Sequence, residues 1–150
     1  MGKVRVYVDT SVIGGCLDSE FAEESRALLD MACRGEFVLL VSYLLLDELR
    51  RAPAAVKGIL DSLPETHIEF LRPSAEAFRL RDRYLAEGIV GSGSSDDALH
   101  VALATTARAD IIVSWNFKHI VHYDKIRMFN GVNLMQGYPT MEIRSPLEVV

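Results

Sequence analysis

Cysteine is scarce in this 150-residue chain, and the two present make no motif. Cys16 and Cys33 show no CxxC pair and no Cys/His spacing, which excludes a zinc site or disulfide framework and points to a reducing cytoplasm. Histidine is equally unpatterned. Neither HxxxH nor HExxH occurs, and His100, His119 and His122 are dispersed residues that read as hydrogen-bonded structure before they read as ligands. No apolar stretch is long enough to span a membrane. The opening run Met1 to Val8 carries Lys3 and Arg5 inside it, unlike the apolar core of a signal peptide. An excess of basic charge is lacking as well: a net charge of −5 argues against coating nucleic acid through bulk charge.

What is present is one domain's worth of core. At 49% hydrophobic, residues 1–150 suffice for a single domain, with no internal repeat and no long linker. Val4 to Val8 reads as a buried strand. Ser19 and the acids after it open a helix to about Cys33, stopped by Gly35. Phe37 to Val41 is a second strand, and Ser42 caps a helix to about Arg51. Pro53 interrupts, and Ala54 to Leu63 is helical again. His67 to Leu71 is a short strand, and Pro73 sits in the first turn of a helix to about Glu87. Gly91-Ser92-Gly93-Ser94-Ser95 is a mobile loop before a helix to about Arg108, capped by Ser94 or Ser95. Ile111 to Ser114 is a strand, Asn116 to Met135 is helical in part, and Met141 to Arg144 makes an edge strand. Strands alternating with helices predict an α/β fold with a mostly parallel sheet covered on both faces.

Four polar residues stand where such a fold places ligands. Asp9 lies at the carboxyl end of the first strand, the end that binds ligands in open parallel sheets; a turn role in Asp-Thr-Ser is equally open to it. Glu48 flanks the apolar face drawn by Leu45, Leu46 and Leu49, whereas Asp47, at about 100° per residue, points nearly opposite. A solvated surface glutamate remains the plainer account of Glu48 alone. Asp96 and Asp97 both suit a helix start, but Asp97 leads straight into Ala98-Leu99-His100-Val101-Ala102-Leu103-Ala104, a segment apolar enough to be buried. Asp110 and Asn116 flank one strand, roughly 20 Å apart at about 3.3 Å per residue. In a parallel sheet Asn116 then lies beside Asp9, and Asp110 at the far end. Carboxylates crowded together repel, and Mg²⁺ or Mn²⁺ is the usual relief.

Val-Tyr-Val-Asp9-Thr-Ser, Asp47-Glu48-Leu, Asp96-Asp97-Ala-Leu-His-Val-Ala and Ser-Trp-Asn116-Phe-Lys-His-Ile, in that order and spacing, resemble a PIN domain, most nearly the VapC-like toxin group. Gly137-Tyr138-Pro139 and Ile143-Arg144-Ser145-Pro146 look like tails of the same group. The resemblance implies a single-domain α/β/α sandwich and acidic residues around Mg²⁺ or Mn²⁺. It also implies endonucleolytic cleavage of RNA by the toxin of a toxin–antitoxin pair. Asp9, Glu48 and Asp97 are then the metal ligands. Asn116 replaces the commoner fourth aspartate, which weakens a second metal. An antitoxin partner and a homodimer are expected, with the apolar positions between Tyr43 and Leu63 serving either an interface or the core. Arg50, Arg51, Lys57, Lys118, Lys125 and Arg127 are candidates for the substrate backbone. Two rivals stand beside this: a non-catalytic RNA- or protein-binding module of the same fold, and a phosphatase using Asp9 as nucleophile, whose usual second acid two residues on is here Ser11.

Overall fold

Val6 and Val8 point to one face of strand Arg5–Val8 (β1) and Tyr7 to the other, and this period of two builds a separate core on each side of a sheet. The computed structural model describes residues 2–150. Strands Val38–Ser42 (β2), Ile68–Leu71 (β3), Ile111–Val113 (β4) and Glu142–Arg144 (β5) complete the sheet in the order β3-β2-β1-β4-β5. Every pairing is parallel: Tyr7 stands opposite Leu40 on one side and Ile112 on the other. The expected mostly parallel sheet is thus wholly parallel, with β5 on its edge. Parallel strands buried on both faces need apolar side chains at every position, which is why Val38 to Val41 and Ile111 to Val113 are unbroken apolar runs.

Helices Thr10–Gly15 (α1), Ala22–Cys33 (α2), Tyr43–Leu49 (α3) and Ala54–Asp61 (α4) cover the face of Val6, Val8, Leu39, Val41 and Val113. Helices Ala75–Ala86 (α5), Ser95–Thr106 (α6) and Tyr123–Met135 (α7) cover the face of Tyr7, Leu40, Ile112 and Ile143. Every residue of α6 from Ala98 to Thr105 is buried, as its composition predicts. Of the apolar positions between Tyr43 and Leu63, Leu44, Leu45, Leu49, Val56, Leu60 and Leu63 belong to the core, while Leu46 is 36% exposed. Among the described residues no helix is long and apolar enough to cross a membrane.

Several boundaries differ from expectation for local reasons. Ser74, not Pro73, starts α5: its Oγ accepts the Ala77 N–H at 3.1 Å, so Pro73 precedes the cap. Helix α2 begins after Phe21, leaving Ser19 in an exposed turn. The Gly/Ser run closes a 3-10 turn at Ser92–Ser94, and the segment after Asn116 turns helical only at Tyr123.

Helix α1 is short and has a specific packing requirement. A Cβ on its last residue, Gly15, would lie 2.5 Å from Ser25 Oγ and 3.0 Å from Trp115 Nε1. Those two atoms are hydrogen-bonded to each other at 2.7 Å, and Phe21 stacks on the indole, so neither can yield. Gly15→Ala should therefore cost about 1–3 kcal/mol, the range for overpacking a filled core. Chemical denaturation measures it; an unchanged midpoint would show that the Ser25–Trp115 contact gives way freely.

Candidate functional site

Because all strands run one way, their carboxyl ends share one edge of the sheet, and the helices that follow them begin there. Asp9 comes directly after β1, Ser42 ends β2 and starts α3, and Ser114 and Asn116 come directly after β4. Helix α6 leads into β4 and so starts at this same edge, with Asp97 in its first turn. Asp110 lies at the opposite edge, where its Oδ2 accepts the Arg5 N–H at 2.7 Å, a structural turn role in keeping with its expected place.

Asp9 is only 4% exposed. It occupies the N-cap position of α1 without capping it; its oxygens are instead taken by hydroxyls, Oδ1 by Ser11 at 2.5 Å and Oδ2 by Ser114 at 2.7 Å. Both serines are themselves pinned by the β4 exit, Ser11 Oγ accepting the Trp115 N–H and Ser114 Oγ the Asn116 N–H, each at 2.9 Å. Burial raises the Asp9 carboxyl above its ordinary value, and the neighbouring Asp97 adds to the rise; the charge of His100 and the two serine hydroxyls oppose it without cancelling it.

Helix α3 turns Glu48 inward and Asp47 outward. Asp47 pairs with Arg50 in solvent. Glu48 Oε1 accepts from Thr10 Oγ1 at 2.8 Å and from His100 Nε2 at 2.6 Å. Burial pushes the Glu48 carboxyl up, but the hydrogen bond and charge of His100, the Thr10 hydroxyl and the charge of Arg51 outweigh it and leave Glu48 below its ordinary value. His100 is 2% exposed, and its Nδ1 lies 2.5 Å from the hydroxyl of fully buried Tyr7, which is 3.0 Å from Ser42 Oγ. His100 is thus hydrogen-bonded structure, as expected, but its partners are not legible in the sequence, where it sits in an apolar run and Tyr7 in a strand. The one available signal is spacing, since His100 follows Asp97 by three residues and shares its helix face.

Asp97 is partly exposed, and Asp96 beside it is exposed. Burial raises the Asp97 carboxyl and the charge of Glu48 adds to the rise, against a hydrogen bond from Asn116 and the charges of His119 and His100. The Asn116 carbonyl oxygen accepts the His119 N–H at 2.9 Å, so that oxygen is already engaged within the loop and the amide nitrogen is the end of the side chain that the loop leaves uncommitted. His119 Nε2 lies 3.3 Å from Ser94 Oγ, and its buried Nδ1 has no partner.

The four predicted residues thus meet at one edge. Among the described residues, no lysine or arginine forms an ion pair with Asp9 or Asp97. One buried and one partly exposed carboxyl held up in this way, beside a third and three hydroxyls, are a donor set whose chemistry fits a hard divalent cation. As the side chains sit, no three His, Cys, Asp or Glu side chains among the described residues form a metal-holding group. Of the proposed backbone contacts, Lys125 is committed to the Ile89 carbonyl at 2.8 Å and Arg50 to Asp47, while Lys118 is exposed and Arg51 lies in the field of Glu48.

The sequence profile of the PIN domain matches residues 5–118, a span that holds Asp9, Glu48, Asp97 and Asn116. No curated protein matches the chain in sequence. Among solved structures, it is similar to VapBC2 from Rickettsia felis bound to a fragment of its promoter DNA: the TM-score is 0.60 and the identity 14%, over 95% of this chain and 98% of that one. DNA-bound VapBC from Salmonella typhimurium gives a TM-score of 0.58 at 15% identity, with the same coverage. FitAcB from Neisseria gonorrhoeae gives 0.56 at 14%, again over 95% and 98%. At these identities the likeness is one of fold.

Proposed function

Because this chain belongs to the PIN domain family, whose members are generally nucleases, we propose that it is a divalent-metal-dependent endoribonuclease and the toxin of a toxin–antitoxin pair. The observation that carries this is the pair of carboxyls at one sheet edge, Asp9 raised by burial and by the charge of Asp97, and Asp97 raised by burial and by the charge of Glu48, with neither in an ion pair with a lysine or arginine among the described residues. Such an arrangement is costly unless a cation completes it.

Asp9, Asp97 and Glu48 would hold Mg²⁺ or Mn²⁺. When bound, the ion supplies Lewis-acid polarisation of a phosphodiester and acidification of a water. The protein's own groups do the rest. Ser11 and Ser114 fix both Asp9 oxygens, so the carboxylate loses no rotamer freedom on loading. Asn116 lowers the Asp97 carboxyl, and in place of an aspartate it spares the cluster a fourth negative charge. Arg51 and the exposed Lys118 flank the acids and suit phosphates on either side of the cut. No side chain is placed as a dedicated general acid, so the leaving oxygen takes its proton from solvent.

An antitoxin partner belongs to the same proposal, supported by the origin of the similar folds in VapBC complexes, and self-association and a cytoplasmic setting are proposed with it. A second reading, a binding module without catalysis, draws on one observation: the carboxylates do not sit as a three-ligand group. The test is cleavage of a mixed RNA panel with Mn²⁺, with Mg²⁺ and with EDTA. Cutting that EDTA stops is expected. A folded protein that neither cuts RNA nor binds Mn²⁺ would transfer the assignment to the binding module.

A further inference from the structure

Behind Glu48 lies a buried polar chain that hydrophobic burial alone does not require. His100 is 2% exposed and Tyr7 and Ser42 are 0% exposed, and the three stand in file within the core: Ser42 Oγ to Tyr7 hydroxyl 3.0 Å, Tyr7 hydroxyl to His100 Nδ1 2.5 Å, His100 Nε2 to Glu48 Oε1 2.6 Å. The inner end is anchored, because Ser42 Oγ also accepts the Leu45 N–H as the cap of α3, the helix that carries Glu48. Burying three polar side chains costs stability unless each is satisfied, and here Tyr7 and His100 find their partners only along this file.

We propose that His100 is a positioning residue for the metal site, with Tyr7 as its support: the pair fixes which Glu48 oxygen is spent inside the protein and which is free to face a cation. The proposal rests on the metal-dependent reading of the site above. In a carboxylate with one oxygen engaged by both Thr10 and His100, only Oε2 remains uncommitted, so the chain selects a single coordinating atom. A histidine whose far nitrogen is held by another group presents its near nitrogen in a fixed direction, the device by which groups behind a metal ligand tune affinity. Here the order is carboxylate outermost, then imidazole, then phenol, each separated from its neighbour by one hydrogen bond.

Two near-isosteric substitutions separate positioning from mere packing. His100→Gln places an amide nitrogen about where Nε2 stands and keeps the donor to Glu48. His100→Asn keeps a polar group near Tyr7 but cannot reach Glu48. Isothermal titration of the metal-free protein with Mn²⁺ is expected to give a Kd within about threefold of wild type for His100→Gln. For His100→Asn the Kd should be weakened roughly 10–100-fold, as for other groups behind a metal ligand. Thermal unfolding of the same samples without metal tracks the packing cost separately. Should His100→Asn fail to fold, Tyr7→Phe, which keeps the ring and removes the support, takes its place, and a several-fold weaker Kd is expected. Equal Mn²⁺ affinity in wild type and in His100→Asn, or in Tyr7→Phe where that variant takes its place, would overturn the role given to His100. So would an equal loss in His100→Gln and His100→Asn. A folded wild type that binds no Mn²⁺ would instead overturn the metal-dependent reading, and the positioning role with it.

Discussion

Replacing Asp97 by asparagine should abolish metal-dependent RNA cleavage while leaving the fold intact, and should make the metal-free protein more stable. The two effects share one cause. Asp97 is pushed above its ordinary value by burial first and by the charge of Glu48 second, so in the absence of metal the ionised carboxylate opposes folding. An asparagine removes the charge and still offers Oδ1 to the Asn116 amide. Activity falls because a neutral amide is a poor ligand for a hard divalent ion. The expected drop is at least about a hundredfold, beyond the roughly 10–100-fold typical when only a group behind a ligand is lost. The thermal midpoint without metal should rise by a few degrees. Single-turnover cleavage of an RNA substrate and a melt in EDTA measure both sides. Retained activity, or a lowered midpoint with activity lost, would remove Asp97 from the site.

Saturating Mn²⁺ should raise the melting temperature of the wild type and have almost no effect on Asp9→Asn. Binding to the folded state alone stabilises by about 2.7 kcal/mol when the free ion stands at about 100 times Kd. For a domain of this size that corresponds to roughly 5–11 °C. Asp9 is the residue to test because it is the most buried of the acids and both its oxygens are already oriented, so it contributes affinity without an ordering cost. A shift of equal size in Asp9→Asn would place the ion elsewhere on the molecule.

The parts of the site that could be read from the chain are those fixed by direction and periodicity. Once strands alternate with helices the sheet is parallel, and a residue after a strand is then on the binding edge; that assigns Asp9 and Asn116 to one edge and Asp110 to the other without any coordinates. Helical phase likewise separates Glu48 from Asp47. Helix α1 was harder to read because Thr-Ser-Val-Ile-Gly-Gly combines β-branched residues with two glycines, a poor intrinsic helix former that is held by the core around Val12 and Ile13. His100 and Tyr7 escaped for a different reason. Each sits among apolar neighbours as a core residue should, and only the packing of α6 across β1 and α3 reveals that their polar atoms meet. The role of Asn116 depended on its rotamer, which no spacing encodes: with the carbonyl held by His119, what faces Asp97 is a donor.

The hydroxyl that closes Asp9 Oδ2 comes from a residue 105 positions further along the chain, and β1 has its β4 neighbour only when that stretch is in place. During synthesis, which proceeds at roughly 5–20 residues per second, domains fold as units once their parts have emerged. A nascent chain on the ribosome therefore holds Asp9 and Glu48 for several seconds before Ser114 and Asn116 exist to complete their surroundings. The edge that gathers the acids is thus one of the last parts of the fold to close, and a chain that stops before Ser114 lacks the hydroxyl that holds Asp9 Oδ2.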